Sequence, residues 1–273
     1  MACPRSEAQW PLDRLSVWAE SCGAGEPVLC ISGLGYSAWC WQELRDALCE
    51  SYRVVRFDNR GTGRSDKPPA PYSIGMLADD VAALLDAMGI AQAHVVGHSM
   101  GGYIALTLAQ NHPQKVRSLV LVGTSPGGPD TLPVPEATRA AWGAAIGLAP
   151  VEYARRTMPL SFAPGWTEAH PQEFESYLRR RVEFPTPPDC WLAQFNACAD
   201  YVAGGVDLSR IRQRTLAVHG TADRVVPFEN GLLLRGLPDV DWKAIEGAGH
   251  IPYLEDPAWF ARVVREHLRR NTT

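Results

Sequence analysis

The sequence lacks the features that mark several large protein classes. None of its 273 residues belongs to an uninterrupted apolar run of about 18, so no membrane-spanning helix is expected. Residues 1–13 carry Pro4, Arg5, Glu7 and Pro11 where a secretory leader needs an unbroken apolar stretch, and the cytoplasm is the expected location. The seven cysteines (Cys3, Cys22, Cys30, Cys40, Cys49, Cys190 and Cys198) form no Cys-x-x-Cys pair, which argues against a zinc knuckle and against a disulfide framework. His94, His112, His170 and His267 are scattered without metal-ligand spacing, so no metal and no other cofactor is expected. Neither sign of charge dominates: 26 Lys and Arg face 30 Asp and Glu, for a net charge of -4 and no basic stripe. Nucleic acid and membrane surfaces are therefore not expected partners, which leaves a small-molecule substrate and a monomer or homodimer.

What the chain does hold is material for a core. Hydrophobic residues make up 46%, charged residues 21% and aromatics 9%, the balance of a soluble globular protein. At about 150 residues per domain, the length allows one large domain or two small ones.

Short β-branched runs at 28–32, 52–57, 93–97, 118–123 and 215–219 predict buried, mostly parallel strands. Between them Ile74, Leu77, Val81, Leu84, Leu85 and Met88 recur at helical spacing, with Ser73 placed to cap the start and Gly89 the end. The three aspartates of this segment, Asp79, Asp80 and Asp86, read as its solvated side. Strands alternating with such helices predict an α/β fold with a doubly wound, mostly parallel sheet.

The alternation breaks after Val122. Residues 125–201 hold Pro126, Gly127, Gly128, Pro129, Pro133 and Pro135, then helix-like stretches with Trp142, Tyr153, Tyr177 and Trp191. The expectation is a core of residues 1–124 and 206–273, interrupted by an inserted helical cap at 125–205. Gly127-Gly128 and Gly204-Gly205 flank the insertion as hinges or plain turns. A last helix is predicted at 257–269.

Gly97-His98-Ser99-Met100-Gly101 follows one predicted strand and opens a helical run, the setting of a G-x-S-x-G nucleophile elbow. A sharp strand-to-helix turn strains the serine backbone and lifts its hydroxyl clear of the sheet, and Gly97 and Gly101 leave room for the chain to pass. The following helix brings its positive dipole end beside a developing oxyanion. A serine nucleophile needs a base and the base an orienting acid. Asp223 follows the apolar strand around Leu216 and Val218, and His250 lies in a small-residue loop after the strand-like 242–245. Glu246 and Glu255 are nearer His250 in sequence, but Asp223 has the better strand-end placement. His98 is expected in a supporting role and His219 as a satisfied core or loop residue. Trp39, Trp41, Trp142, Trp166 and Trp191 read as core or cap packing residues, with one or two left to line an apolar pocket.

With these features in order the sequence resembles the α/β-hydrolase superfamily over nearly its whole length apart from the insertion. The matching motifs are Ser32-Gly33-Leu34-Gly35, the turn from Asp58 through Arg60, Gly61, Thr62 and Gly63 to Ser65, the Ser99 elbow, the Asp223 turn, and Gly249-His250 followed by Glu255-Asp256-Pro257. The resemblance implies Ser99 as nucleophile, His250 as general base and then acid, and Asp223 as the carboxylate that orients it. It also implies an oxyanion hole from the backbone N–H groups of Leu34 and Met100, and a structural role for the Asp58 turn. Ser32 departs from the pattern, because the family often has a histidine there that braces the loop.

The function expected is a serine hydrolase acting on a small-molecule carboxylic ester, lactone or thioester through an acyl-enzyme. Alternatives within the same fold are a carbon–carbon bond hydrolase, for which Arg155, Arg156, Arg179, Arg180 or Arg181 would hold a substrate carboxylate, and a cofactor-free perhydrolase. A slow-turnover ligand-binding receptor is the alternative outside catalysis.

Overall fold

A computed structural model describes residues 3–271; residues 1–2 and 272–273, assigned to the core from sequence, lie outside the described part. The strands are β1 (Arg5–Pro11), β2 (Ser16–Cys22), β3 (Pro27–Ile31), β4 (Arg53–Phe57), β5 (Ala93–His98), β6 (Val116–Val122), β7 (Thr215–Gly220) and β8 (Val240–Ile245). They form one sheet in the order β1-β2-β4-β3-β5-β6-β7-β8, with β1 and β2 antiparallel and every other pair from β4 to β8 parallel.

The helices are α1 (Gln42–Leu48), α2 (Ile74–Ala87), α3 (Met100–Asn111), α4 (Glu136–Ala145), α5 (Pro150–Thr157), α6 (Trp166–Ala169), α7 (Pro171–Glu183), α8 (Pro188–Gly204), α9 (Phe228–Leu232), α10 (Pro252–Glu255) and α11 (Pro257–Arg269). Because side chains alternate along a strand, Leu29, Ile31 and Val95 face α2 and α3, while Val28, Cys30 and Val96 face α1 and α11. Both faces of the central strands are thus covered, which is why those strands read as continuous apolar runs.

The chain leaves β3 toward β4 in one direction and then returns past β3 to β5. The loops after β3 and β5 therefore diverge at adjacent strand ends, and the crevice they open is where doubly wound sheets bind ligands.

The expected helix starts and stops where its caps place it. The Ser73 side chain accepts from the Met76 N–H at 3.1 Å, and Gly89 takes φ 66° just past the end. Asp80 corrects the reading of a solvated face: its carboxylate is 11% exposed and takes a two-point hydrogen bond from the Arg60 guanidinium at 2.5 and 2.6 Å. Asp79 and Asp86 do stand in solvent.

The hairpin β1–β2 was not expected from the sequence. β1 is exposed along nearly its whole length, so it carries no apolar alternation to reveal it. Its partner buries Glu20 completely, where Arg5, Arg45 and Arg56 all bond the carboxylate. Burial raises the Glu20 pKa and the three guanidinium groups more than reverse that, leaving it below the usual carboxylate value. All seven cysteines are free thiols.

Helices α4 to α8 occupy the chain between β6 and β7. The entering and leaving segments run side by side: the Gly128 N–H donates to Val202 O at 2.8 Å, and the Val206 N–H to Pro126 O at 2.9 Å. A Cβ on Gly127 would come within 2.8 Å of the Gly205 Cα, so glycine faces glycine across this neck.

Candidate active site

Ser99 sits between the end of β5 and the start of α3 with φ 53° and ψ −119°. No other described non-glycine residue has a positive φ. The turn closes only because of the glycines on either side. A Cβ at Gly97 would lie 2.3 Å from the Gly101 carbonyl oxygen, and one at Gly101 would lie 2.1 Å from that of Ile31, and backbone cannot give way as a flexible side chain can. The strained residue is held at both peptide groups: its N–H donates to Val122 O at 2.9 Å, and its carbonyl accepts from the Thr124 hydroxyl at 2.9 Å and the Gly102 N–H at 2.8 Å.

The loop after β3 lies against this turn, since a Cβ on Gly33 would meet the Ser99 Cβ at 3.2 Å. Ser32 braces the loop in its own way. Its hydroxyl accepts from the Trp41 indole N–H at 3.1 Å, and its carbonyl accepts from the Asn59 side chain at 3.1 Å. Asp58 closes the neighbouring turn by accepting from the N–H groups of Ala38 at 2.7 Å and Arg64 at 2.9 Å. From α8, the fully buried Gln194 accepts from the Gly35 N–H at 3.1 Å and donates to Thr62 at 2.8 Å, so it ties both loops to the insertion.

Asp223 and His250 arrive from the ends of β7 and β8. His250 Nδ1 donates to Asp223 Oδ2 at 2.7 Å, which leaves Nε2 as the ring nitrogen away from the carboxylate. The other oxygen, Oδ1, accepts from the N–H groups of Val225 at 2.8 Å and Val226 at 2.9 Å. Burial raises the Asp223 pKa, but His250 and His219 outweigh it and hold the carboxyl well below its ordinary value. Glu255 serves differently: it accepts from the Gly249 N–H at 3.1 Å and the Ala163 N–H at 2.9 Å, binding the His250 loop to the insertion. Glu246 is exposed.

His98 packs against the His250 ring with centroids 4.5 Å apart. Its Nδ1 accepts from the Tyr253 hydroxyl at 3.2 Å, so its Nε2 carries the proton and donates to the His250 carbonyl at 3.1 Å. Burial, then the neighbouring His250, pushes the His98 pKa well down. It supports the His250 backbone and offers no free nitrogen.

A cavity of about 60 Å³ joins these parts, with Ser99, His250 and Leu34 on its sheet side. Met100 begins α3, whose first-turn N–H groups have no partner within the helix. Trp142, Trp191 and Arg181 close the cavity from the insertion, so two of the five tryptophans singled out in the sequence reach it. Of the five arginines weighed for a substrate carboxylate, Arg155 pairs with Glu175 and Arg180 with Glu43, and Arg181 lies over the Tyr36 ring at 4.3 Å. Tyr36, Gln194 and His219 were missed as site residues. His219 had a signal, since it lies near the end of β7, four residues before Asp223; Gln194 had none, because only the fold brings α8 to the loop after β3.

Among the described residues no three His, Cys, Asp or Glu side chains converge as a metal site, and no helix is long and apolar enough to cross a membrane.

Comparison with known proteins agrees with this architecture. The family model described as alpha/beta hydrolase fold matches residues 26–257. A protein of Caulobacter segnis that carries the provisional name carbamate hydrolase RutD is 35% identical over 86% of this chain and 88% of its own. The 2-hydroxymuconate semialdehyde hydrolase of Pseudomonas sp. strain CF600 is 31% identical over 90% of this chain and 88% of its own. Among solved structures, a thermophilic esterase from Thermogutta terrifontis superposes with a TM-score of 0.83 at 26% identity, over 99% of this chain and 100% of that one. A strained serine turn at the switch point of a doubly wound sheet, matched across most of the chain, makes this protein a hydrolase belonging to the alpha/beta hydrolase fold family.

Proposed function

We propose that the chain is a serine hydrolase that cleaves a small-molecule carboxylic ester, lactone or thioester through an acyl-enzyme. The observation that carries this reading is that Ser99, on its strained turn, shares one cavity with His250, whose Nδ1 is held by Asp223. Ser99 Oγ attacks the substrate carbonyl carbon while His250 Nε2 takes the hydroxyl proton. The buried Asp223 carboxylate stabilises the imidazolium that forms and fixes the ring tautomer. The N–H groups of Leu34 and Met100 receive the oxyanion, and His250 returns its proton to the leaving oxygen or sulfur. Water then attacks the acyl carbon, His250 takes its proton, and the acid leaves as Ser99 recovers its own. Helices from the 125–205 segment act as a cap over a core of residues 1–124 and 206–273, and their aromatic side chains select the substrate.

Steady-state hydrolysis of a para-nitrophenyl ester series, from acetyl to dodecanoyl, tests the reading. Turnover should peak at one chain length, and Ser99→Ala should lower it by about four to six orders of magnitude. Activity retained in Ser99→Ala would refute the assignment.

A second reading, a carbon–carbon bond hydrolase acting on an acidic substrate, is favoured by Arg181. Its guanidinium is the cation that lines the cavity, stacked on Tyr36. The named relatives bracket both readings, one being an esterase and another a semialdehyde hydrolase.

A further inference from the structure

We infer that His219 is a positioning residue that acts through Asp223, holding the carboxylate in the orientation His250 requires. The inference rests on the serine-hydrolase reading above.

The His219 ring is 1% exposed near the end of β7. Its Nε2 lies 3.0 Å from the Val226 carbonyl oxygen and 3.2 Å from Asp223 Oδ2. Both neighbours are acceptors, so Nε2 carries the proton, donating it to the Val226 carbonyl while lying in electrostatic contact with Asp223 Oδ2. Nδ1 is buried without a hydrogen-bond partner among the described residues and faces Gly231, where a Cβ would come within 2.2 Å of it. Trp242 lies nearly parallel to the ring at 6.2 Å and Phe228 meets it edge-on at 5.9 Å. One side of the imidazole therefore sits in apolar packing at a desolvation cost, while its polar side bonds the Val226 carbonyl and sets the N–H dipole against the Asp223 carboxylate. A leucine would fill the same slot without stranding a nitrogen.

The consequence falls on the carboxylate. Asp223 Oδ1 takes two backbone N–H groups, and Oδ2 is shared by two imidazoles, His250 at 2.7 Å and His219 at 3.2 Å. Donors on every side leave the carboxylate no alternative rotamer with comparable partners. His219 also draws on the charge that Asp223 presents to His250, and so sets how tightly the imidazolium is held. The other titratable groups facing this cluster are His98 from β5, Tyr103 from α3, Arg224 beside Asp223, bonded to the Pro159 and Phe162 carbonyls, and Glu255 from α10.

The test uses the full chain and a fluorophosphonate that labels an activated serine, with the labelling rate followed from acid to alkaline pH and the unfolding midpoint of each variant measured. His219→Leu should label about tenfold more slowly, from loss of the imidazole N–H that lies against the carboxylate. Its acid limb should move to higher pH, because a carboxylate relieved of one donor holds the protonated base more strongly. His219→Gln, whose Nε2 can reach the same two acceptors, should recover most of the rate and return the limb. Wild-type rate and pH profile in His219→Leu would overturn the inference, as would equal slowing of both variants with an unmoved limb and a lowered midpoint, the mark of a packing role alone. If wild type does not label at Ser99, the serine-hydrolase reading fails and takes the inference with it; if it does label there and His219→Leu matches it, the inference alone falls.

Discussion

Replacing Ser99 by glycine should make the protein more stable while abolishing its hydrolytic activity. Ser99 is held at φ 53° and ψ −119°, a region that costs a residue with a Cβ about 1–3 kcal/mol and glycine little. Against that gain stands the extra backbone freedom of glycine in the unfolded chain, worth about 0.5–1 kcal/mol. The midpoints of those ranges leave a net stabilisation of about 1 kcal/mol, or an unfolding midpoint raised by a few degrees in a chain of this size. Ser99→Ala is the informative control, because it removes the hydroxyl and keeps the Cβ and therefore the strain. The structure supplies the force that maintains this conformation. The Gly97 and Gly101 contacts and the four hydrogen bonds to the Ser99 N–H and carbonyl over-determine the turn. Calorimetric unfolding of wild type, Ser99→Ala and Ser99→Gly in parallel decides the matter. A glycine variant no more stable than the alanine variant would show that the elbow stores no strain at Ser99.

Two further outcomes follow from other parts of the molecule. His267 on α11 is buried with an unpartnered Nε2 among the described residues, and burial pushes its pKa down to about 4. The unfolded chain takes up that proton first, near the ordinary imidazole value, so stability is whole above that value and falls as pH drops toward about 4, by up to about 3 kcal/mol. His267→Leu should flatten the acid side of the midpoint-against-pH curve, and an unchanged slope would contradict the assignment. Arg181→Gln should raise KM for a carboxylate-bearing substrate by about 10–100-fold and leave a neutral ester within a few-fold, from loss of a charged hydrogen bond. Equal effects on both substrates would remove the case for an acidic ligand.

The parallel strands were legible because burial on both faces writes an apolar run into each of them, and observed β5 and β7 begin where expected, at Ala93 and Thr215. The helix from Ile74 was legible because its cap is side-chain chemistry, Ser73 accepting a first-turn N–H; Asp256 does the same for the helix from Pro257, though that helix was expected without it. β1 was not, since an edge strand facing solvent has no alternation to display. At the candidate site, Ser99, Asp223 and His250 stood out because each sits just after an apolar strand. His219 looked like one more core residue. Sequence spacing shows that it lies near the end of β7, but not that the next turn brings Asp223 back onto its ring. Asp80 misled for a related reason: its partner Arg60 lies in a distant loop, so helical periodicity alone assigned it to solvent.

The neck between Pro126 and Val206 sets how the molecule can change. Entry and exit of the helical segment are in contact, glycine against glycine and cross-linked by two backbone hydrogen bonds. Closing the loop costs only slightly more as its length grows, so the neck tolerates a longer or shorter segment provided the contacts of Ser161, Ala163 and Gln194 with the loops of the sheet are kept. Helical turns away from those contacts can therefore be gained, lost or exchanged beyond the neck while Ser99, Asp223 and His250 keep their seats on β5, β7 and β8. A fold joined in this way varies its choice of substrate by grafting at one junction, with the chemistry below left undisturbed.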